Sequence, residues 1–316
     1  MLPARVLVVR LDGMGDALAC TPLLAALRHA GHEVSLALSD RNAEIFARGT
    51  AAATHVLERI PWPRHGSTAL SRARAEAEIA AHRYDVALIA SEEPEAYELA
   101  ASVPVRIGFT TGWAKPLKSI WINRRVTTAI RRAATVRGAH VHEVEMLFGL
   151  GASLVPAPPE RDAAKLRPLI VGDVALPARD GIVVQLGAKW KTLGVADDVL
   201  ARVTALLAGR GARFIAAPDE RDAVSAQLPA LDVEAPPSTR AWVATIDAAA
   251  LLVSPDTGAA HLAGMLGVPV VDVFPDKNFD VQTRRWQPWA SSSIVVRASE
   301  LTRAPETLIA QALDAV

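Results

Sequence analysis

The chain has 316 residues, 51% of them hydrophobic and 22% charged, and its 34 Lys and Arg balance 34 Asp and Glu. That length suits about two domains of roughly 150 residues, and the apolar content excludes disorder as the main state. A net charge of zero argues against a dedicated nucleic-acid protein, so no nucleic-acid partner is expected.

No apolar run reaches the ~18 residues needed to span a bilayer. The opening residues Met1-Leu2-Pro3-Ala4-Arg5-Val6 lead into a strand pattern and do not resemble a signal peptide, so a cytoplasmic protein is expected. The single cysteine, Cys20, lies in an apolar run and reads as a core thiol. Residues 6–11 read as a buried strand, 16–30 as a helix, 33–38 as a strand, 67–82 as a helix and 85–90 as a strand. Between residues 154 and 177 five prolines (Pro156, Pro158, Pro159, Pro168 and Pro177) suggest an interdomain linker. Alternation resumes with strands at 181–186, 212–217, 251–254 and 269–274, helices at 196–210, 241–250 and 258–266, and a last helix at 304–316. This alternation predicts βαβ units and two parallel sheets covered on both faces, with ligands beyond the carboxyl ends of the strands.

Two strand-to-helix loops carry the chemistry. In Asp12-Gly13-Met14-Gly15-Asp16 the glycines allow a tight turn at a helix start, and Asp16 falls at or near the N-cap, where it is worth ~1 kcal/mol as a cap alone. Gly13-Met14-Gly15 also supplies two glycines of a dinucleotide fingerprint, with Leu18 in place of the third and Asp40 as the candidate ribose acid, an NAD-dependent oxidoreductase reading. In Ser254-Pro255-Asp256-Thr257-Gly258-Ala259-Ala260-His261, the amides of Thr257, Gly258 and Ala259 open a helix whose dipole suits a diphosphate. Asp256 on its own reads as another cap, and His261, in the first helical turn, reads either as facing the same cleft or as packed, the commoner state of a solitary histidine on an alanine-rich helix.

Together these residues resemble glycosyltransferase family 9, the ADP-heptose:lipopolysaccharide heptosyltransferases. Val6-Leu7-Val8-Val9-Arg10-Leu11-Asp12-Gly13-Met14-Gly15-Asp16 with Thr21-Pro22-Leu23-Leu24 resembles the family's opening. Asp256-Thr257-Gly258-Ala259-Ala260-His261 with Gly267-Val268-Pro269 resembles its donor motif. Gly187-Ala188 with Lys191, Ala217-Pro218-Asp219-Glu220 and His142-Glu143-Val144-Glu145 are similar to further family elements. The resemblance implies an α/β chain of GT-B fold: two Rossmann-like domains, 1–160 for the acceptor and 161–316 for the nucleotide-sugar, facing each other across a cleft. It allows the last helix to return to the first domain. Phe274-Pro275-Asp276-Lys277-Asn278 departs from the family's Gly-Pro-Thr type loop, and Leu186-Gly187-Ala188 from its Pro-Gly-Ala element.

Carried onto this sequence, the resemblance makes Asp16 the general base of an inverting transfer. Gly187, Ala188, Lys191 (or Lys189), Glu220, Asp256, Thr257, Gly258, Ala259 and His261 become donor-binding residues, with Glu220 on the ribose. Gly15 joins the acceptor side. The expected partners are an ADP-heptose-like donor and an anionic, lipopolysaccharide-core-like glycolipid. No Asp-x-Asp pair ends a strand and no His/Cys cluster has ligand spacing, so no metal or other cofactor is expected. A nucleotide-sugar epimerase or hydrolase of the same fold is the alternative enzyme.

Residues 99–142 hold eight cations and no Asp or Glu: Arg106, Lys115, Lys118, Arg124, Arg125, Arg131, Arg132 and Arg137. Such segregation reads either as a solvated face or as a patch, with Trp113 and Trp121 interleaved, for an anionic acceptor and the inner-membrane surface. On the second reading Arg106, Arg124 and Arg125 bind the acceptor. In 284–289, Trp286 and Trp289 read equally as a cover for the donor or as packing.

Overall fold

The apolar run after Arg5 forms β1 (Arg5–Arg10), with Val6 to Val9 fully buried, as expected of a parallel strand covered on both faces. The computed structural model describes residues 2–60, 66–110, 115–131, 141–155 and 157–314. The chain divides into two units, Met1–Glu160 and Arg161–Val316.

In the first unit β1 is followed by α1 (Met14–Leu18), α2 (Thr21–His29), β2 (Glu33–Ser39), β3 (Thr54–Leu57), α3 (Ala69–His82), β4 (Val86–Ile89) and α4 (Pro94–Leu99). Then come β5 (Val105–Thr110), α5 (Pro116–Asn123), β6 (Thr128–Arg131) and α6 (Glu143–Phe148). The sheet is parallel in the order β3-β2-β1-β4-β5-β6, which puts β1 between β2 and β4. The helix expected over 16–30 is two helices. Pro22, at the second position of α2, cannot continue a helix from before it, and the Thr21 hydroxyl donates to Leu18 O at 2.6 Å across the break.

The second unit runs α7 (Ala163–Val171), β7 (Asp180–Gln185), α8 (Lys189–Thr192), α9 (Asp197–Ala208), β8 (Arg213–Ile215), α10 (Arg221–Gln227), β9 (Val233–Glu234) and α11 (Thr239–Asp247). It continues with β10 (Ala249–Pro255), α12 (Gly258–Leu266), β11 (Val270–Phe274), α13 (Phe279–Trp286), β12 (Ser293–Arg297), α14 (Ala298–Arg303) and α15 (Pro305–Asp314). This sheet is also parallel, in the order β12-β11-β10-β7-β8-β9.

One expectation changes here. The proline-rich stretch is no plain linker, because α7 lies within it and packs on α12, with Leu166, Leu169 and Ile170 buried at helical spacing. Arg167 fixes that helix, donating to Asp247 at 2.6 and 2.9 Å and to the carbonyls of Val174 and Ala175. The last helix, α15, packs on α9 and α14 of its own unit, where Ile309 and Ala312 join the core cluster.

Candidate functional site

In the first unit the site forms where β1 ends. Gly13, not Asp16, caps α1, its backbone extended, and a Cβ there would stand 3.3 Å from Asp16 Oδ2. Asp16 is the third residue of the helix, and its side chain is 32% exposed. Gly15 lies between them in the same turn.

Arg10, the last residue of β1, organises this end. Its Nη2 sits 2.5 Å from Asp16 Oδ1, its Nε 3.2 Å from Asp12 Oδ2, and Nη1 donates to Ala90 O beyond β4. Glu143, fully buried at the start of α6, lies 3.9 Å from Nη2. Burial opposes the Arg10 charge, but Asp12, Asp16 and Glu143 outweigh it and hold the guanidinium above its ordinary pKa. Asn42 donates to Arg10 O at 3.3 Å and Asp12 O at 2.9 Å, which steadies the loop between them. In the sequence Arg10 and Glu143 stand within family-like elements and carry no role of their own. The readable signal was a cation ending an otherwise apolar buried strand, which needs a counter-charge. Burial pushes the Cys20 thiol up to about 12, in keeping with a core thiol.

In the second unit the structure brings Gly187, Ala188 and Glu220 together. Gly187 has φ +152°, and a Cβ would press on the Glu220 carboxylate, 3.2 Å from its Cδ. The Ala188 amide donates to Glu220 Oε1 at 3.0 Å. Lys189 and Lys191 are both exposed on α8, while Trp190 between them is buried and donates to Gln185 O at 2.9 Å. Of the two lysines, Lys189 is the one whose charge acts on Asp272 of β11.

Thr257 caps α12, and its hydroxyl accepts the Ala259 amide at 3.3 Å while lying 3.1 Å from Ser254 Oγ. The Ala259 amide, expected to face an anion, is therefore engaged by the cap. Gly258 opens the helix. His261 Nε2 is 3.8 Å from Asp256 Oδ1, and its ring lies 5.3 Å from Trp286, so the 284–289 segment reaches this loop through Trp286. Trp289 instead packs: a Cβ on Gly264 would lie 2.9 Å from its backbone nitrogen, and Arg161 stacks on its ring at 3.7 Å.

One residue of this region was not anticipated. Asp272 is fully buried on β11, and neither carboxyl oxygen has a hydrogen-bond partner among the described residues. The signal was available, since an aspartate stands within the apolar run Val270-Val271-Asp272-Val273-Phe274.

The basic segment is uneven. Arg106 is committed to backbone, donating to Arg125 O at 2.6 Å and Val103 O at 2.5 Å. Arg125 stacks on Trp121 at 3.7 Å and donates to its carbonyl, and Lys118 pairs with Glu92 at 3.3 Å. Arg124 and Arg131 are exposed, as are Leu117 (82%) and Ile120 (51%) of α5. Arg132, Arg137 and Trp113 lie outside the described residues. Among the described residues no group of three or more His, Cys, Asp or Glu is placed to hold a metal, and no helix is long and apolar enough to cross a membrane.

No curated protein matches the sequence. Solved structures do. The E. coli heptosyltransferase WaaC with ADP has a TM-score of 0.73 at 18% identity, covering 98% of this chain and 99% of that one. E. coli ADP-heptose lps heptosyltransferase II scores 0.70 at 15% identity, covering 98% of each. A glycosyl transferase family 9 protein from Veillonella parvula scores 0.72 at 16% identity, covering 97% and 89%. At these identities the likeness shows the fold, the GT-B fold of the heptosyltransferases. The model of glycosyltransferase family 9 (heptosyltransferase) matches residues 72–315, more than three quarters of the chain, so the chain belongs to that family and is a glycosyltransferase.

Proposed function

We propose that the protein is an inverting, metal-independent enzyme that moves a heptose or a related sugar from an ADP-sugar to an anionic, lipopolysaccharide-core-like acceptor. The observation that carries this reading is the Asp16 carboxylate, partly exposed beyond β1 and held at 2.5 Å by a buried arginine. A carboxylate oriented in this way accepts the proton of the acceptor hydroxyl as that oxygen bonds to the anomeric carbon. On the opposite side of that carbon the bond to the diphosphate breaks, and ADP leaves with the electron pair. Lys189 or Lys191 and the start of α12 stabilise the developing charge, and Glu220 takes the ribose hydroxyls. The structures solved with ADP and with ADP-2-deoxy-2-fluoro heptose support an adenosine diphosphate donor by analogy of fold.

Calorimetry against ADP-sugars, UDP-sugars and NAD tests the donor. The expected result is binding of the ADP-sugar and its ADP product, with transfer continuing in excess chelator. Binding of NAD without any ADP-sugar, or activity restored only by Mg²⁺, overturns the reading.

The basic segment supplies the acceptor side and a peripheral membrane contact. Exposed Arg124 and Arg131, in the same segment as the exposed apolar Leu117 and Ile120, match an anionic, lipid-linked substrate. Reversing the charge at Arg124 and Arg125 is expected to raise the acceptor KM about tenfold, since surface pairs are each worth roughly 0.2–1 kcal/mol. The donor KM stays within twofold in steady-state kinetics. Equal effects on both substrates would make the segment structural.

A further inference from the structure

Asp272 is a buried carboxyl that the reaction does not use. Val271 and Val273, its neighbours in β11, pack into the core cluster shared with α9, α14 and α15, so Asp272 points to the opposite face of the sheet. Its register partner on β10 is Ser254, which therefore shares that face, and Ser254 Oγ touches the Thr257 cap of α12 at 3.1 Å. The carboxyl thus lies one layer behind the loop that opens α12. It has no exposure, and both oxygens are unpartnered among the described residues.

We propose that Asp272 is a positioning residue that makes donor binding depend on pH: as the neutral acid it permits a diphosphate on the α12 loop, and as the carboxylate it opposes one. This rests on the reading of that loop as the diphosphate cradle. The groups around Asp272 fix the sign. Burial first, and Asp256 second, hold the proton on, while Lys189 favours its loss; together they raise the carboxyl well above the usual carboxylate range. Its partners Ser254 and Val295 on β10 and β12 are uncharged. On α12, His261 faces Asp256. On α13, Asp280 pairs with Arg297, Arg285 lies over Trp286, and Arg284 is exposed.

A diphosphate adds negative charge in front of the loop, and so raises the affinity of Asp272 for its proton. By reciprocity, loss of that proton weakens the diphosphate by the same factor.

The test uses ADP on the full chain, with calorimetry from pH 6 to 9.5 in buffers of different ionisation enthalpy. Wild type is expected to lose ADP affinity about tenfold towards alkaline pH and to take up a proton on binding there. Asp272→Asn is expected to abolish both, binding ADP about tenfold more tightly than wild type at the alkaline end with the gap closing at the acid end. An unchanged pH profile and proton uptake in Asp272→Asn would overturn the proposal while leaving the donor assignment standing. Failure of wild type to bind ADP at any pH would overturn both. A purely structural Asp272 would change thermal stability but not the proton count.

Discussion

Asp16→Ala is expected to lower turnover by about 10²- to 10⁴-fold, the range that general-base assistance contributes, while ADP affinity stays within twofold of wild type. The donor-binding candidates all belong to the Arg161–Val316 unit, whereas Asp16 belongs to the other, which separates loss of the base from loss of the donor. Asp16→Asn makes the same test with less disturbance, because an amide oxygen still accepts from Arg10 Nη2. Single-turnover transfer with saturating donor is the measurement. Turnover within a few-fold of wild type in both variants would remove Asp16 from the role.

Arg10→Met carries the largest expected cost in stability. Arg10 is 4% exposed, and its guanidinium stands among Asp12, Asp16 and Glu143 while donating to Ala90 O. Removing one partner of a buried charged set costs about 3–5 kcal/mol, since the remaining charges stay out of water. Three carboxylates then face one another at the end of β1, and Asp16 loses its orientation. Hydrogen exchange should accelerate strongly in β1 and β4 and remain unchanged in β7 and β10. Arg10→Lys restores the charge but not the fork that reaches several acceptors, so it should recover only part of the protection. Wild-type protection in Arg10→Met would show that the cluster is held by something other than this arginine.

The fold was largely legible because both sheets are built from buried parallel strands whose apolar runs stand out against alanine-rich helices. The strand read at 33–38 appears as β2, and the helix read at 258–266 has the bounds of α12. Polar and short elements were lost. β6, with exposed Thr128, Ala129 and Arg131, has no apolar alternation to betray it, and α7 was hidden by Pro168, which lies inside the helix where a proline ordinarily signals a break. On the site, motif order pointed to the loops, but their interiors depend on contacts between distant residues. Nothing local to Arg106 signals that its guanidinium is spent on the carbonyls of Val103 and Arg125. Likewise, the carboxylates that gather on Arg10 come from positions 12, 16 and 143, and only the folded sheet unites them.

Each sheet sets its earliest strand in the middle. Val6 lies beside Val86, and Val183 beside Leu252, so neither central pair exists until a long stretch of chain has been crossed. Closing such loops before their contacts repay the entropy is slow, which places these units among the sluggish folders. During synthesis the apolar flank of β1 awaits β4, and that interval is when a nascent chain of this topology is most exposed to mispairing and to capture by chaperones.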